Sequence, residues 1–201
     1  YLAEAARRIQ KLDMADMTPL PRSHITELDH AARAFNAMRN GLGWFETYVP
    51  RRLVRQLMDN PSPDAVASRQ LEVTVLFTDI VGFSRLAEQL DAGTAARLLN
   101  QHFELLATCV AETDGTVDKF LGDGMMAFWG APLPQPDHAL RAVRTALLIR
   151  DRLQVIDGFP PLRLRIGIHT GPALVGNIGS RDRLNYTLVG DTVNVTQRLE
   201  Q

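Results

Sequence analysis

The chain has 201 residues, of which 45% are hydrophobic and 22% are charged, a balance typical of a globular protein that buries a core. Its net charge of −1 gives no reason to expect binding to nucleic acid or to an anionic membrane surface. Cys109 is the only cysteine, so no internal disulfide can form, and a reducing compartment is expected. No apolar run approaches the roughly 20 residues that a membrane-spanning helix needs.

The first part of the chain, residues 1–49, has the pattern of helices interrupted by a connector that contains Pro19 and Pro21. After the connector, apolar residues recur at alternating spacings of three and four over three heptads: Leu28, Ala31, Phe35, Met38, Leu42, Phe45 and Val49. Such a narrow stripe is typical of a coiled-coil seam that a partner chain covers. An ordinary amphipathic core helix is the alternative interpretation.

A linker is predicted at residues 50–69. Pro50 interrupts the stripe, and residues 60–64 contain two prolines and a serine, a composition typical of a linker. From residue 70 onward, strands alternate with helices. The predicted elements are a strand at 71–78, a helix at 91–113, a hairpin at 115–130, a helix at 136–156, strands at 162–169 and 173–178, and a strand, turn and helix at 186–200. This order predicts an α+β, ferredoxin-like βαββαβ sheet with helices on one face.

Two aspartates occupy special places in this pattern. Asp79 ends the first strand, and Asp123 lies in the tight turn of the hairpin. In a ferredoxin-like sheet the first strand lies centrally, so the two carboxylates are expected to converge at one end of the sheet. Paired carboxylates suit Mg²⁺, which keeps several waters and takes further ligands from substrate phosphates. Taken alone, Asp79 is as well explained as a cap of the helix that follows it.

The turn after Asp79 predicts a phosphate cradle. It runs from Ile80 to Ser84 and presents consecutive backbone N–H groups close to a helix start. The residues expected to line the cradle are Gly82, Phe83 and Ser84.

Four segments in succession carry a family resemblance: FTDIVGFS, DGTVDKFLGDGMMAFWG, RIGIHTGPALVGNIG and YTLVGDTVNVTQRLE. Over residues 71–201 they resemble the class III nucleotidyl cyclases, specifically the bacterial adenylate cyclases. Residues 1–49 resemble a HAMP linker, and residues 50–69 resemble the transducer segment that often precedes these domains. The resemblance implies a catalytic domain at 70–201 that lacks the last helix and strands of the family, where a basic residue normally contacts the triphosphate; Arg183 is a candidate substitute.

The resemblance also implies a role for the carboxylates. Asp79, the carbonyl group of Ile80 and Asp123 match the ligands of two ions, Mg²⁺ or Mn²⁺, in each site. The ions would activate the ribose 3′-hydroxyl for attack on the α-phosphate and neutralise the triphosphate of ATP.

Four more residues match positions that bind the rest of the substrate. Lys119 and Thr187 match the residues that recognise adenine, and Asn194 and Arg198 match the pair that orients the ribose and stabilises the charged transition state. A lysine only donates hydrogen bonds, so it suits the N1 acceptor of adenine and opposes the N1–H of guanine. A threonine can accept from the adenine 6-amino group.

Each of these residues also has a structural explanation. Lys119 alone would be a solvated strand position, and Asn194 with Arg198 an ordinary i, i+4 surface pair. Asp191 is expected to cap the last helix. His102 and His169 are expected to be packing or sheet residues, because neither has a neighbouring set of zinc ligands.

The function that the resemblance implies is an adenylate cyclase that works as a homodimer, with metals held by one chain and the base and transition state by the other. Thr187 replaces the aspartate of many adenylate cyclases and resembles the subgroup that includes bicarbonate-responsive enzymes. The expected location is the cytoplasmic face of the cell membrane, below an upstream sensor. Two alternatives stay open: a non-catalytic nucleotide-binding signalling module, and a guanylate cyclase, which should carry an acidic residue in place of Lys119.

Overall fold

A computed structural model describes residues 18–48, 67–153, 159, 162–180 and 184–201, with side chains in the first range up to residue 41. The chain divides into two compact units, Tyr1–Ala65 and Val66–Gln201. The predictions for residues 1–17, for the linker from Pro50 to residue 66 and for Arg183 lie outside the described residues. None of the described helices combines the length and hydropathy that a membrane span requires.

The described part of the first unit is helix α1, Thr26–Tyr48, with the connector that precedes it. Asn36 holds the connector, because its side chain accepts from the backbone N–H of Leu20 at 2.9 Å and donates to the carbonyl oxygen of Leu20 at 3.0 Å. Asp29 lies between two guanidinium groups, 2.8 Å from Arg22 Nε and 3.0 Å from Arg33 Nη2. The connector therefore runs back along the first turns of α1.

The part of the predicted seam whose side chains the structure describes, from Leu28 to Met38, is largely open in the single chain, while the side chains of Leu42 and Phe45 and the whole of Val49 lie outside the described residues. Leu28 is 53% exposed and Met38 is 50% exposed, while Phe35 is half-buried and Ala31 is exposed. Helix α1 confirms that this segment is helical, as predicted. The contact of the seam with a partner chain stays a prediction.

The second unit is built on one antiparallel sheet. Its strands lie in the order β2-β3-β1-β4-β5. They are β1 Arg69–Ile80, β2 Thr116–Leu121, β3 Gly124–Trp129, β4 Leu164–Gly179 and β5 Leu184–Val189. The helices are α2 Phe83–Ala87, α3 Ala92–Glu112, α4 His138–Arg152 and α5 Asp191–Glu200. The first four strands have the ferredoxin-like βαββαβ order with β1 at the centre, which confirms the predicted fold class.

The helices cover both faces of this sheet. On one face, Leu76 of β1 packs with Leu106 of α3 and Ile149 of α4. Helix α5 lies on the opposite face, since a Cβ atom on Gly167 of β4 would lie 2.6 Å from its backbone. The predicted placement of all helices on one face is therefore wrong for α5, because glycines in β4 leave room for a helix on the other side.

Strand β4 also differs from the prediction. The sequence Thr-Gly-Pro at 170–172 predicted a break between two strands, whereas β4 is one strand of 16 residues. Pairing with β1 extends without a break from Leu164 to Val175. Pro172 fits into this strand because β5 pairs only from Leu174 onward, so β4 has a partner on one side alone at the proline.

Candidate active site

The hairpin and the central strand bring Asp79 and Asp123 together at one end of the sheet. Strands β2 and β3 are joined by a two-residue turn in which Gly122 has φ +63°, a backbone region that glycine adopts readily. The carboxylate of Asp123 then accepts a hydrogen bond from the backbone N–H of Ile80 at 3.1 Å. The structure therefore places Asp123 beside the strand end that carries Asp79, where the topology predicted it.

Two contacts fix the hairpin against β1. The Thr78 side-chain oxygen accepts from the backbone N–H of Met125 at 3.1 Å. Gly124 approaches β1 so closely that a Cβ atom there would collide with the Thr78 carbonyl oxygen. These contacts set the position of Asp123 through the two residues that follow it.

Burial and charge act together on this carboxylate pair. Burial, and then the neighbouring charge of Asp123, raise the pKa of Asp79, while Arg165 opposes the rise. The guanidinium of Arg165 lies 3.2 Å from Asp79 Oδ2, because the two residues are direct partners across β1 and β4. Arg165 has no signal in the local sequence pattern, because only the pairing register of β1 and β4 brings it next to Asp79.

Glu200, at the end of α5, is a third acidic residue in this region. Its Oε1 atom is buried and accepts no hydrogen bond from the described residues, with Arg165 Nε 3.9 Å away. Burial first, and then the charge of Asp79, raise the pKa of Glu200. The end of the sheet therefore concentrates more negative charge than Arg165 neutralises.

A divalent cation fits this chemistry. Carboxylate oxygens are hard ligands, and a cation would offset the burial and the repulsion by Asp123 that together raise the pKa of Asp79. Within the described part of the chain, no three His, Cys, Asp or Glu side chains are grouped closely enough to enclose a metal. A pair of carboxylates of this kind suits Mg²⁺ or Mn²⁺, because these ions take their remaining ligands from waters and substrate phosphates.

The turn after β1 is the predicted phosphate cradle. Gly82 has φ +77° and leads into α2, a helix of five residues. Two amides of the predicted cradle are already used, since Ile80 donates to Asp123 and Val81 donates to the carbonyl oxygen of Arg163 at 2.8 Å. A phosphate on this turn therefore has to use amides further along, from Gly82, Phe83 and Ser84.

The predicted base-recognition residues meet although their strands form opposite edges of the sheet. The Thr187 hydroxyl on β5 donates to Asp118 Oδ2 on β2 at 2.7 Å, and Lys119 Nζ lies 3.5 Å from the same oxygen. The sheet therefore curls until its two edges touch. Asp118 is a residue that sequence analysis missed, and its place directly before Lys119 was the only signal for it.

Asp118 is the buried member of this group. Its side chain is only 2% exposed, whereas that of Lys119 is 43% exposed. Burial raises the pKa of the Asp118 carboxyl, and the hydrogen bond from Thr187 and the charge of Lys119 oppose the rise. A lysine and a threonine are thus held around one carboxylate at the meeting point of the sheet edges.

Asn194 and Arg198 lie one turn apart on α5, and both are exposed. Helix α5 is anchored to β4 by Thr192, whose hydroxyl donates to the carbonyl oxygen of Pro172 at 2.7 Å. The prediction that Asp191 caps this helix is wrong, because Gly190 is the N-cap and no side-chain cap bond is present there. Asp191 instead lies in the first turn, where its negative charge interacts favourably with the positive end of the helix dipole.

The two histidines have the structural places that were predicted. His102 on α3 is fully buried, and burial lowers its pKa to about 4 although the charge of Asp123 opposes the change. Neither ring nitrogen of His102 has a hydrogen-bond partner among the described residues. His169 is a half-buried residue of β4 that pairs with Val75.

Comparisons with known proteins agree with this geometry. The family model "Adenylate and Guanylate cyclase catalytic domain" matches residues 65–201. Adenylate cyclase 1 of Rhizobium meliloti (strain 1021) is 39% identical over 206 aligned residues, which cover 99% of this chain and 31% of that protein. The chain thus spans about a third of the length of the curated relatives that it matches.

Solved structures show the same fold. The adenylyl cyclase CyaB from P. aeruginosa is 36% identical with a TM-score of 0.65, over 67% of this chain and 74% of that one. The guanylyl cyclase Cya2 is 39% identical with a TM-score of 0.61, over 66% of this chain and 71% of that one. Together with the family match, these similarities show that the chain belongs to the class III nucleotidyl cyclases, with residues 65–201 matching their catalytic domain.

Proposed function

We propose that this domain is an adenylate cyclase, which converts ATP to 3′,5′-cyclic AMP and pyrophosphate. The observation that carries the proposal is the pair of carboxylates at the end of β1 and in the β2–β3 turn, held together by the hydrogen bond between Ile80 and Asp123. Adenylate cyclase 1 of Rhizobium meliloti supports it as a relative that matches nearly the whole chain.

The carboxylate end of the sheet would bind the triphosphate. Two divalent cations held by Asp79, Asp123 and the Ile80 carbonyl group would supply the charge that activates the ribose 3′-hydroxyl and neutralises the phosphates. The backbone N–H groups of residues 82–84 would donate hydrogen bonds to phosphate oxygens. Arg165, beside Asp79, offers a planar guanidinium group that suits the same oxygens.

In the reaction, the 3′-oxygen gives up its proton to solvent water and forms a bond to the α-phosphorus. The bond from that phosphorus to the bridging oxygen of the β-phosphate breaks, and pyrophosphate leaves. Arg198 would donate hydrogen bonds to the negative charge that develops on the α-phosphate, and Asn194 would hold the ribose in line for attack. Both residues are exposed on α5 and thus accessible to a nucleotide bound in a dimer interface.

The base preference rests on Lys119 and Thr187. An ammonium group next to N1 favours adenine, whose N1 accepts, over guanine, whose N1 carries a proton. A guanylate cyclase is the second candidate, because Cya2 is a guanylyl cyclase of similar sequence and fold. The lysine at position 119 argues against it.

We also propose that two chains share each active site and that the first unit regulates them as a HAMP-type coil. The open apolar stripe on α1 supports this, since Leu28 and Met38 are each about half exposed in the single chain. The full-length protein would then carry a sensor upstream of the coil, at a membrane.

Incubation of the chain with ATP or with GTP, each with Mn²⁺ or Mg²⁺, tests the function. Cyclic AMP as the main product is the expected result. Cyclic GMP as the main product would assign a guanylate cyclase instead. Nucleotide binding without either product would assign a non-catalytic signalling module.

A further inference from the structure

A buried carboxylate stands behind the residues proposed to recognise the base. The side chain of Asp118 is 2% exposed and receives the hydroxyl proton of Thr187 over 2.7 Å. The ammonium group of Lys119 lies 3.5 Å from the same Oδ2 atom. A direct contact between Asp118 and the nucleotide is not part of the proposal, because so little of its side chain is exposed.

A threonine hydroxyl has one proton to donate and two lone pairs that accept. The single proton of Thr187 is used in the bond to Asp118, so the hydroxyl can only accept from any third group. Adenine presents its 6-amino donor at the position where guanine presents the O6 acceptor. An accept-only hydroxyl therefore pairs with adenine and leaves guanine O6 facing a second acceptor, an arrangement that costs binding energy.

We propose that Asp118 is a positioning residue that makes Thr187 selective for adenine by fixing the direction of its hydroxyl proton. This inference rests on the proposed function, in which Thr187 faces the 6-position of the base. Because Asp118 is buried, water does not compete for the Thr187 proton, and the preference holds without a direct contact between Asp118 and the nucleotide.

The same carboxylate keeps the two recognition groups together. Lys119 and Thr187 come from opposite edges of the sheet, and Asp118 contacts both. A threonine without this partner would rotate its hydroxyl and donate to guanine O6 equally well. The identity of residue 118 thus decides whether a threonine at position 187 discriminates between the two purines.

The test compares kcat/KM for ATP and GTP in the full chain with Mn²⁺. Asp118→Ala should reduce the ATP-to-GTP ratio by roughly 5- to 30-fold, the range expected for one hydrogen bond made or lost. Asp118→Leu, which fills the buried space with an apolar side chain of similar shape, should have the same effect if the alanine variant folds poorly. Thr187→Val should also reduce the ratio.

The decisive measurement is the double variant. If Asp118 acts through the hydroxyl, adding Asp118→Ala to Thr187→Val should leave the ratio as it is in Thr187→Val alone. A purely structural role would lower turnover of both nucleotides equally and keep the ratio in every variant, which would overturn the proposal. A further drop of the ratio in the Thr187→Val background would overturn it as well.

A binding experiment separates this inference from the proposed function. Dissociation constants of 3′-deoxy-ATP and 3′-deoxy-GTP, which lack the attacking hydroxyl, are measured by calorimetry with Mn²⁺. A wild-type chain that makes no cyclic nucleotide would contradict the proposed function. Even such an inactive chain would support the role of Asp118 if it bound 3′-deoxy-ATP more tightly than 3′-deoxy-GTP and if Asp118→Ala reduced the ratio of the two dissociation constants. An unchanged ratio in Asp118→Ala would contradict that role.

Discussion

At the scale of single residues, the candidate site contains carboxylates whose charged form is disfavoured by burial. Asp79, Asp118 and Glu200 all have a pKa that burial raises. Each of these carboxylates is nonetheless within 4 Å of a cationic group, which is Arg165 or Lys119. This pattern of desolvation combined with specific partners is typical of functional sites.

His102 should make the stability of the domain depend on pH. Its pKa falls from 6.5 to about 4 in the folded chain, so below pH 6.5 the unfolded chain binds a proton that the folded chain does not. Stability is therefore complete above pH 6.5 and is lost as the pH falls toward 4. The expected loss is about 3 kcal/mol in the free energy of unfolding.

The measurement is urea unfolding at pH 7.5 and at pH 4.5, with His102→Leu as the comparison. Leucine removes the titrating group and two buried nitrogen atoms without hydrogen-bond partners, so it should not reduce stability at pH 7.5. The free energy of unfolding of His102→Leu should then exceed that of the wild-type chain by an amount that grows as the pH falls. A constant difference across this range would show that the pKa of His102 is the same in the folded and the unfolded chain, which would contradict the prediction.

The residues that sequence analysis found and missed have a physical explanation. The meeting of Asp79 and Asp123 follows from topology alone, because a ferredoxin-like order puts the hairpin next to the central strand. Arg165 depends on the register between β1 and β4, and Asp118 on the curl that joins the two sheet edges. Neither property is encoded in local spacing, so the sequence offers no signal for Arg165 and, for Asp118, only its position next to Lys119.

At the scale of elements, the β2–β3 hairpin determines where Asp123 lies. Gly124→Ala should destabilise the domain by about 1–3 kcal/mol and lower activity, because the added methyl group meets the Thr78 carbonyl oxygen. Gly122→Asn is the matched control in the same turn. Gly122 has open space around it, and asparagine tolerates its φ of +63° better than other residues do.

Thermal unfolding and the Mn²⁺-dependent rate of both hairpin variants would check this prediction. Gly122→Asn should stay close to the wild-type chain in both measurements. Equal effects of the two substitutions would mean that the turn, rather than the contact with β1, sets the position of Asp123.

Helix α1 offers a second test among the elements. Ala31 and Ala37 are both exposed alanines on this helix, but only Ala31 belongs to the predicted seam. Ala31→Leu should change the association of the chain and the cyclase rate several-fold, as a shift of about 1–3 kcal/mol between two packing arrangements would do. Sedimentation and rate measurements should show no such change for Ala37→Leu. If the two variants behave alike, α1 is a spacer without a seam.

Elements that were predicted incorrectly differ from the structure for tertiary reasons. Thr-Gly-Pro has the composition of a turn, yet continuous pairing with β1 keeps β4 extended through it. Helix α5 takes the second face of the sheet because β4 has glycines at 167 and 171 under it. Helices α3 and α4 were placed correctly, since the βαββαβ connections put both on one face.

At the scale of the whole molecule, the proposed catalytic unit is a dimer. The carboxylate pair would act from one chain, while Arg198 on α5 would act from the other. A single chain would then hold two incomplete halves of different sites. In a closed dimer with twofold symmetry, both sites are equivalent and both are completed at once.

Mixing Asp79→Ala with Arg198→Ala tests this claim most directly. Each variant alone should be inactive, because each homodimer lacks one essential group in both sites. After subunit exchange, heterodimers contain one complete site, so an equimolar mixture should recover about one quarter of the wild-type rate of cyclic AMP formation. If exchanged subunits recover no activity, or if either variant alone is fully active, the shared active site is wrong.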